Sequence, residues 1–153
     1  MTNRSRPMLL AVLLTTLATA GQGAQTPAVP IEVFKSPTCG CCAKWVEMLR
    51  QNGFAPKVTD LSQTDLAAVK AKHNVPAALQ SCHTAVVGRY VIEGHTPLAD
   101  IQRLLKQRPP VSGLAVPGMP TGSPGMEGPN PKPYDVLTFD KQGATTVYST
   151  QGR

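Results

Sequence analysis

Three of the chain's four cysteines fall within four residues, Cys39-Gly40-Cys41-Cys42, and the fourth is Cys82. Cys39 and Cys42 hold the C-x-x-C spacing of dithiol redox sites, with Cys41 inserted between them. Thiolate is the nucleophile in disulfide exchange and also the metal ligand, so the residue type alone leaves both chemistries open. Exchange needs only two thiols, and the third and fourth tilt the reading toward metal. A stapling framework fits poorly. An adjacent Cys41–Cys42 bond would be strained, and pairing Cys82 with any one of the three leaves a strained remainder. Further soft or imidazole donors are His83, His95, Met119 and Met126. Soft thiolate and thioether ligands select Cu(I). Zinc is the competitor, because four thiolates also suit a tetrahedral ion. Cys41 and Cys42 do not easily join Cys39 around one tetrahedral ion. Thiolates shared among several Cu(I) ions remove that difficulty. The alternative is a thiol–disulfide oxidoreductase with Cys39 as nucleophile and Cys42 as resolving thiol.

The auxiliary donors differ in standing. Strand alternation turns His83 away from Cys82. His95 follows Gly94 in a loop. Met119 and Met126 lie in a Pro/Gly-rich stretch where core packing is less natural, although plugging that stretch onto the domain is the plain alternative. His73 sits at a helix end, where a dipole partner is the simpler role. Trp45 and Met48 read as packing residues.

The elements that must position these residues follow from periodicity. Ile31 to Lys35 reads as a strand, broken by Ser36-Pro37-Thr38. Cys42, Trp45, Val46 and Leu49 follow helical spacing from Cys41 to Asn52, stopped by Gly53. The cysteine cluster therefore opens a helix, whose free N–H groups stabilise thiolate. Ala55 to Leu61 reads as a second strand. Ser62 caps a helix from about Thr64 to His73. His83–Val87 and Tyr90–Glu93 form a hairpin across Gly88-Arg89. Thr96 caps a helix from Pro97 to Gln107, with Leu98, Ile101, Leu104 and Leu105 on one face. The first strand–helix–strand unit should be a right-handed parallel crossover. The pattern is α/β, thioredoxin-like, βαβ-α-ββα. Residues 109–133 hold 8 Pro and 5 Gly. Tyr134–Asp140 and Thr145–Thr150 read as a C-terminal β-hairpin. Because a bare hairpin is unstable, it should pack on the domain and turn the Pro/Gly stretch into a wrapping loop.

The N-terminus has a different character. Arg4 and Arg6 precede an uncharged, largely apolar run from Met8 to Ala20, ending in small residues. This is the pattern of a cleaved secretory signal peptide over residues 1–20, with Ala24 a second cleavage position. The run is shorter than the roughly 20 residues a span needs. The parts are then a signal peptide 1–20, a linker 21–30, a metal-binding domain 31–108, a Pro/Gly loop 109–133 and a hairpin 134–150. Cleavage leaves 13 basic and 9 acidic residues. They are scattered, which excludes the clustered basic face of a nucleic-acid binder. No membrane association is expected after cleavage. The 153 residues exclude a large enzyme with a bound dinucleotide.

Four motifs in order give a family resemblance: Ser36-Pro-Thr-Cys-Gly-Cys-Cys42, Ser81-Cys-His-Thr-Ala85, Val91-Ile-Glu-Gly-His95, and the Pro/Gly run from Gly113 through Met119 to Met126-Glu127. They resemble the CopG family of bacterial periplasmic proteins, from about Ile31 to Tyr148. The resemblance implies a thioredoxin-like fold, periplasmic location and a role in copper resistance. It further implies copper bound through Cys39, Cys41, Cys42 and Cys82, as Cu(I) with Cu(II) a second state, and copper oxidoreductase chemistry. Implied partners are copper ions and other periplasmic copper-resistance or efflux proteins. It also implies that residues 113–127 are ordered and lid the cluster, with Met119 or Met126 nearby.

Overall fold

A computed structural model describes residues 27–152. The expected signal peptide, residues 1–20, and the expected linker up to residue 26 lie outside the described residues. In chain order the elements are β1 (Val29–Lys35), α1 (Gly40–Gln51), β2 (Phe54–Asp60), α2 (Gln63–Lys72), a 3₁₀ turn (Ala77–Leu79), β3 (His83–Val87), β4 (Tyr90–Glu93), α3 (Leu98–Gln107), β5 (Gly113–Ala115), β6 (Tyr134–Phe139) and β7 (Thr145–Gln151). All seven strands join one sheet, ordered β2-β1-β3-β4-β5-β6-β7. β1 and β2 are parallel, as a crossover through α1 requires, and β3–β4 is an antiparallel hairpin. No helix among the described residues is long and apolar enough to cross a membrane.

The sheet separates two apolar layers because strand side chains alternate. Val33, Ala85, Ile92 and Leu114 are register neighbours across four strands and share a face. They cluster with Trp45, Val46 and Leu49 of α1 and Ile101 and Leu104 of α3. The helical spacing of Cys42, Trp45, Val46 and Leu49 is thus the stripe that α1 buries. The other face carries Val91, Ala115 and Phe139, packed with Val75 and Leu79. Ser62 caps α2, accepting the Asp65 N–H at 3.1 Å and donating to its carboxylate at 2.7 Å.

Three local readings need correction. β1 begins at Val29, inside the expected linker. α3 begins at Leu98 with Pro97 at its N-cap, and Thr96 does not cap it. The Thr96 hydroxyl instead donates to the Glu93 carbonyl at 3.3 Å. Within the Pro/Gly stretch, Gly113–Ala115 forms a strand, β5, which pairs parallel to β4 and antiparallel to β6. Local composition hides this strand, because its partners are 20 or more residues away in sequence. The hairpin therefore continues the sheet. It is also tied to α3: the buried Asp100 carboxylate accepts from Ser149 Oγ at 2.8 Å and Gln151 Nε2 at 3.0 Å. Arg103 adds a cation–π contact, 4.0 Å above the Tyr148 ring.

Candidate metal centre

The turn between β1 and α1 delivers the cysteine cluster. The Cys39 N–H closes it on the Ser36 carbonyl at 3.1 Å. Cys39 is the N-cap of α1, with extended backbone and no side-chain cap bond. The first turn of α1 contains no acidic residue. The partial positive charge of the helix start thus faces the sulfurs with no carboxylate from its own first turn against it. Cys39 and Cys42 form a disulfide, while Cys41 and Cys82 are free and half-buried. Cys41 Sγ lies 3.4 Å from Cys39 Sγ.

The second segment comes from the start of β3. Cys82 precedes the strand, and its carbonyl lies 3.9 Å from Cys42 Sγ. Its sulfur is 3.0 Å from His95 Nε2 and 3.4 Å from His83 Nδ1. The expectation that alternation separates Cys82 from His83 is therefore wrong. Alternation binds residues inside a strand, and Cys82 lies outside it, at a bend. His83 points to the α1 face, its ring 4.4 Å from Trp45 and 5.0 Å from His95. Trp45 is fixed in turn by donating Nε1–H to the Thr96 carbonyl at 3.0 Å.

The Pro/Gly loop packs against the site and leaves Cys39, Cys41 and Cys82 half-buried. The Pro124 carbonyl accepts from His95 Nδ1 at 2.7 Å. A carbonyl only accepts, so Nδ1 carries the proton and the Nε2 lone pair faces Cys82. Orientation of an imidazole through its remote nitrogen is the arrangement that supports ligand histidines. Gly125 has φ +84, and a Cβ there would lie 2.7 Å from the Cys41 carbonyl. Only glycine lets the loop approach α1 so closely. Met119 is exposed beside Gly118, and Met126 is half-buried in a turn closed by its N–H to the Ser123 carbonyl at 2.8 Å.

Two overlapping donor sets result. The sulfurs of Cys39, Cys41, Cys42 and Cys82 lie within 4.8 Å of one another, as do the donor atoms of Cys42, Cys82, His83 and His95. Burial, with the neighbouring Cys41 adding to it, pushes the Cys82 thiol up to about 11. Burial, then the charges of His95 and Lys70, holds the fully buried His83 well below the usual histidine range. Burial also lowers His95, opposed by its bond to Pro124. Both shifts favour the neutral imidazole, the form in which histidine ligates. His83 Nε2 is a buried nitrogen with no hydrogen-bond partner. The arrangement can hold a soft metal, and it can exchange a disulfide.

Sequence reasoning passed over Lys70, Glu93 and Pro124. Glu93 is fully buried and pairs with Lys70, which is also buried. A carboxylate ending the apolar run Tyr90-Val91-Ile92 was the available signal. Nothing in the residue type of Pro124 marks its carbonyl as a partner.

Comparison with known proteins adds context to this geometry. A family model described as a protein of unknown function, DUF411, matches residues 79–126. No curated protein matches the chain. Two solved structures described as copper resistance protein CopG are similar to it. Form 2 is 41% identical with a TM-score of 0.73, and covers 82% of this chain and 99% of its own. Form 1 is 38% identical with a TM-score of 0.76 and the same coverage.

Proposed function

The chain belongs to the CopG family, and from that premise we propose that it is a periplasmic copper-handling protein that takes Cu(I) into its cysteine cluster. The observation that carries this reading is the convergence of four sulfurs from two separate segments within 4.8 Å of one another. In the disulfide form the open donors are Cys41, Cys82, His83 and His95. Reduction adds the thiols of Cys39 and Cys42, and a site dominated by soft thiolates selects Cu(I) over harder divalent ions. Bridging thiolates make the cluster multinuclear. Met119 and Met126, on the loop above, are further thioether donors in this reading.

The same cysteines supply a redox step. Oxidation of the Cys39/Cys42 dithiol to the disulfide releases two electrons and two protons. Two Cu(II) ions accept one electron each and become Cu(I), for which Cys41, Cys82 and the imidazoles remain as ligands. The parallel β1–β2 crossover, the β3–β4 hairpin and the helix after it support a thioredoxin-like reading of residues 31–108. The basic n-region and apolar run over residues 1–20 support export. N-terminal sequencing of the mature protein from the periplasmic fraction should begin at Gly21, or at Gln25 for the second site.

The Cys39–Cys42 disulfide favours a second reading, a thiol–disulfide oxidoreductase. Substitution separates the two. Cys41→Ser and Cys82→Ser should each lower copper stoichiometry if the cluster is the site. Both should leave Cys39/Cys42 exchange largely intact. Unchanged copper stoichiometry in both variants would overturn the copper reading.

A further inference from the structure

The sheet face opposite the cysteine cluster carries a buried polar assembly that the copper chemistry does not use. Glu93 on β4 is fully buried, and its Oε1 accepts from Lys70 Nζ of α2. Its Oε2 accepts the Thr84 hydroxyl at 2.7 Å, and Lys70 Nζ also donates to Thr84 Oγ1 at 2.9 Å. Glu93 Oε1 further accepts the backbone N–H of Ser81 at 2.7 Å. Ser81 directly precedes Cys82, and its own hydroxyl donates to the Gly118 carbonyl of the loop above the site.

An ion pair this deeply buried is a poor device for stability. Desolvation of two charges roughly cancels their attraction, and apolar residues of similar volume often serve a core as well. An apolar pair could not accept the Ser81 N–H. That segment belongs neither to the 3₁₀ turn nor to β3. Among the described residues the Ser81 N–H finds its acceptor in this carboxylate. Gly94, next to Glu93, packs against the same residue: a Cβ there would lie 2.6 Å from Ser81 Oγ. Ser81 is thus held by a carboxylate on one side, a bare backbone on another and the Pro/Gly loop on a third.

We propose that Glu93, held in place by Lys70, is the positioning residue for Cys82: by taking the Ser81 N–H it sets the Cys82 sulfur against the C-x-C-C cluster and the two histidines. Glu93 touches no ligand atom and acts through the Ser81 backbone. The copper readout of this proposal rests on the proposed function, whereas its thiol and amide readouts do not.

The test compares two charge-free pairs of substitutions. In Lys70→Met/Glu93→Gln the amide carbonyl still accepts the Ser81 N–H, and its NH₂ donates to Thr84. In Lys70→Met/Glu93→Leu that acceptor is gone. Iodoacetamide labelling of the reduced, metal-free proteins is read at Cys82 relative to Cys41. The leucine pair should raise that ratio on the order of tenfold and weaken Cu(I) affinity by roughly 10–100-fold, as loss of an outer partner does. The glutamine pair should stay within about twofold of the parent in both. A folded leucine pair with parent labelling ratio and parent affinity overturns the proposal. Wild-type protein that takes up no copper removes the functional reading, while the labelling ratio still decides the positioning. Hydrogen exchange in the wild-type protein decides it even if the leucine pair does not fold. The Ser81 amide should exchange as slowly as those of β3, and exchange at the rate of exposed loop amides overturns the proposal.

Discussion

His83 has no exposed surface, a ring wedged between Trp45 and His95, and an Nε2 atom with no protein partner. An imidazole in that setting cannot accept a proton without placing a charge in the core. The unfolded chain carries no such penalty and protonates near pH 6.5. Below that pH the unfolded state binds more protons than the native state, so stability falls as pH drops and is unaffected above it. His95, lowered by burial, acts with the same sign. Urea unfolding of metal-free protein should show a falling midpoint from pH 7 to pH 5, and His83→Gln should flatten that dependence. An equally steep dependence in the variant would contradict this account of His83. The four cysteines and two histidines were legible from residue type. The meeting of Cys82 with the C-x-C-C turn is an expectation the geometry meets, whereas the approach of His83 to Cys82 is not, because alternation holds only inside a strand. The strand itself reads from His83, as observed, so alternation has no hold on Cys82, one residue before its start.

At the scale of elements, the centre is built from three termini: the start of α1, the entry to β3 and the exit from β4. Each was predicted to within a few residues, since helix α1 and strands β3 and β4 carry strong apolar periodicity. Their exits are more demanding than periodicity reveals. The β4 exit turns at Gly94, with φ +69, and a Cβ there would lie 2.6 Å from both Ser81 Oγ and the Val116 carbonyl. The left-handed backbone alone costs a non-glycine residue about 1–3 kcal/mol, and the crowding adds to it. Gly94→Ala should therefore lower unfolding free energy by at least about 1 kcal/mol and should displace His95 from Cys82, reducing copper uptake. A stable variant with normal uptake would show that this approach is not needed. The short strand β5 was invisible to the sequence reading for a different reason. Three residues amid prolines hold no periodic signal, and their strand character comes wholly from pairing with β4 and β6.

For the whole molecule, the Pro/Gly segment decides whether the centre is open or roofed. Its composition is that of a linker, yet Ser123 and Gly125 are buried and the Pro124 carbonyl holds His95. Proline fixes φ and glycine admits close approach, so the segment is rigid through its backbone rather than through a core. Limited proteolysis of the folded protein should leave the Pro117–Gly125 stretch intact for as long as the sheet survives. Early cleavage there would contradict a roofed site. β5, β6 and the buried Asp100 anchor both ends of the segment. The resemblance implied this order, whereas composition alone did not. The central claim is that the roofed cysteines form one copper site. Anaerobic Cu(I) titration of the reduced protein against a competing chelator tests it most directly. Tight uptake of more than one copper per chain, lost in Cys82→Ser, is the expected result. Absence of tight uptake, with a cleanly reversible Cys39–Cys42 disulfide, would contradict it.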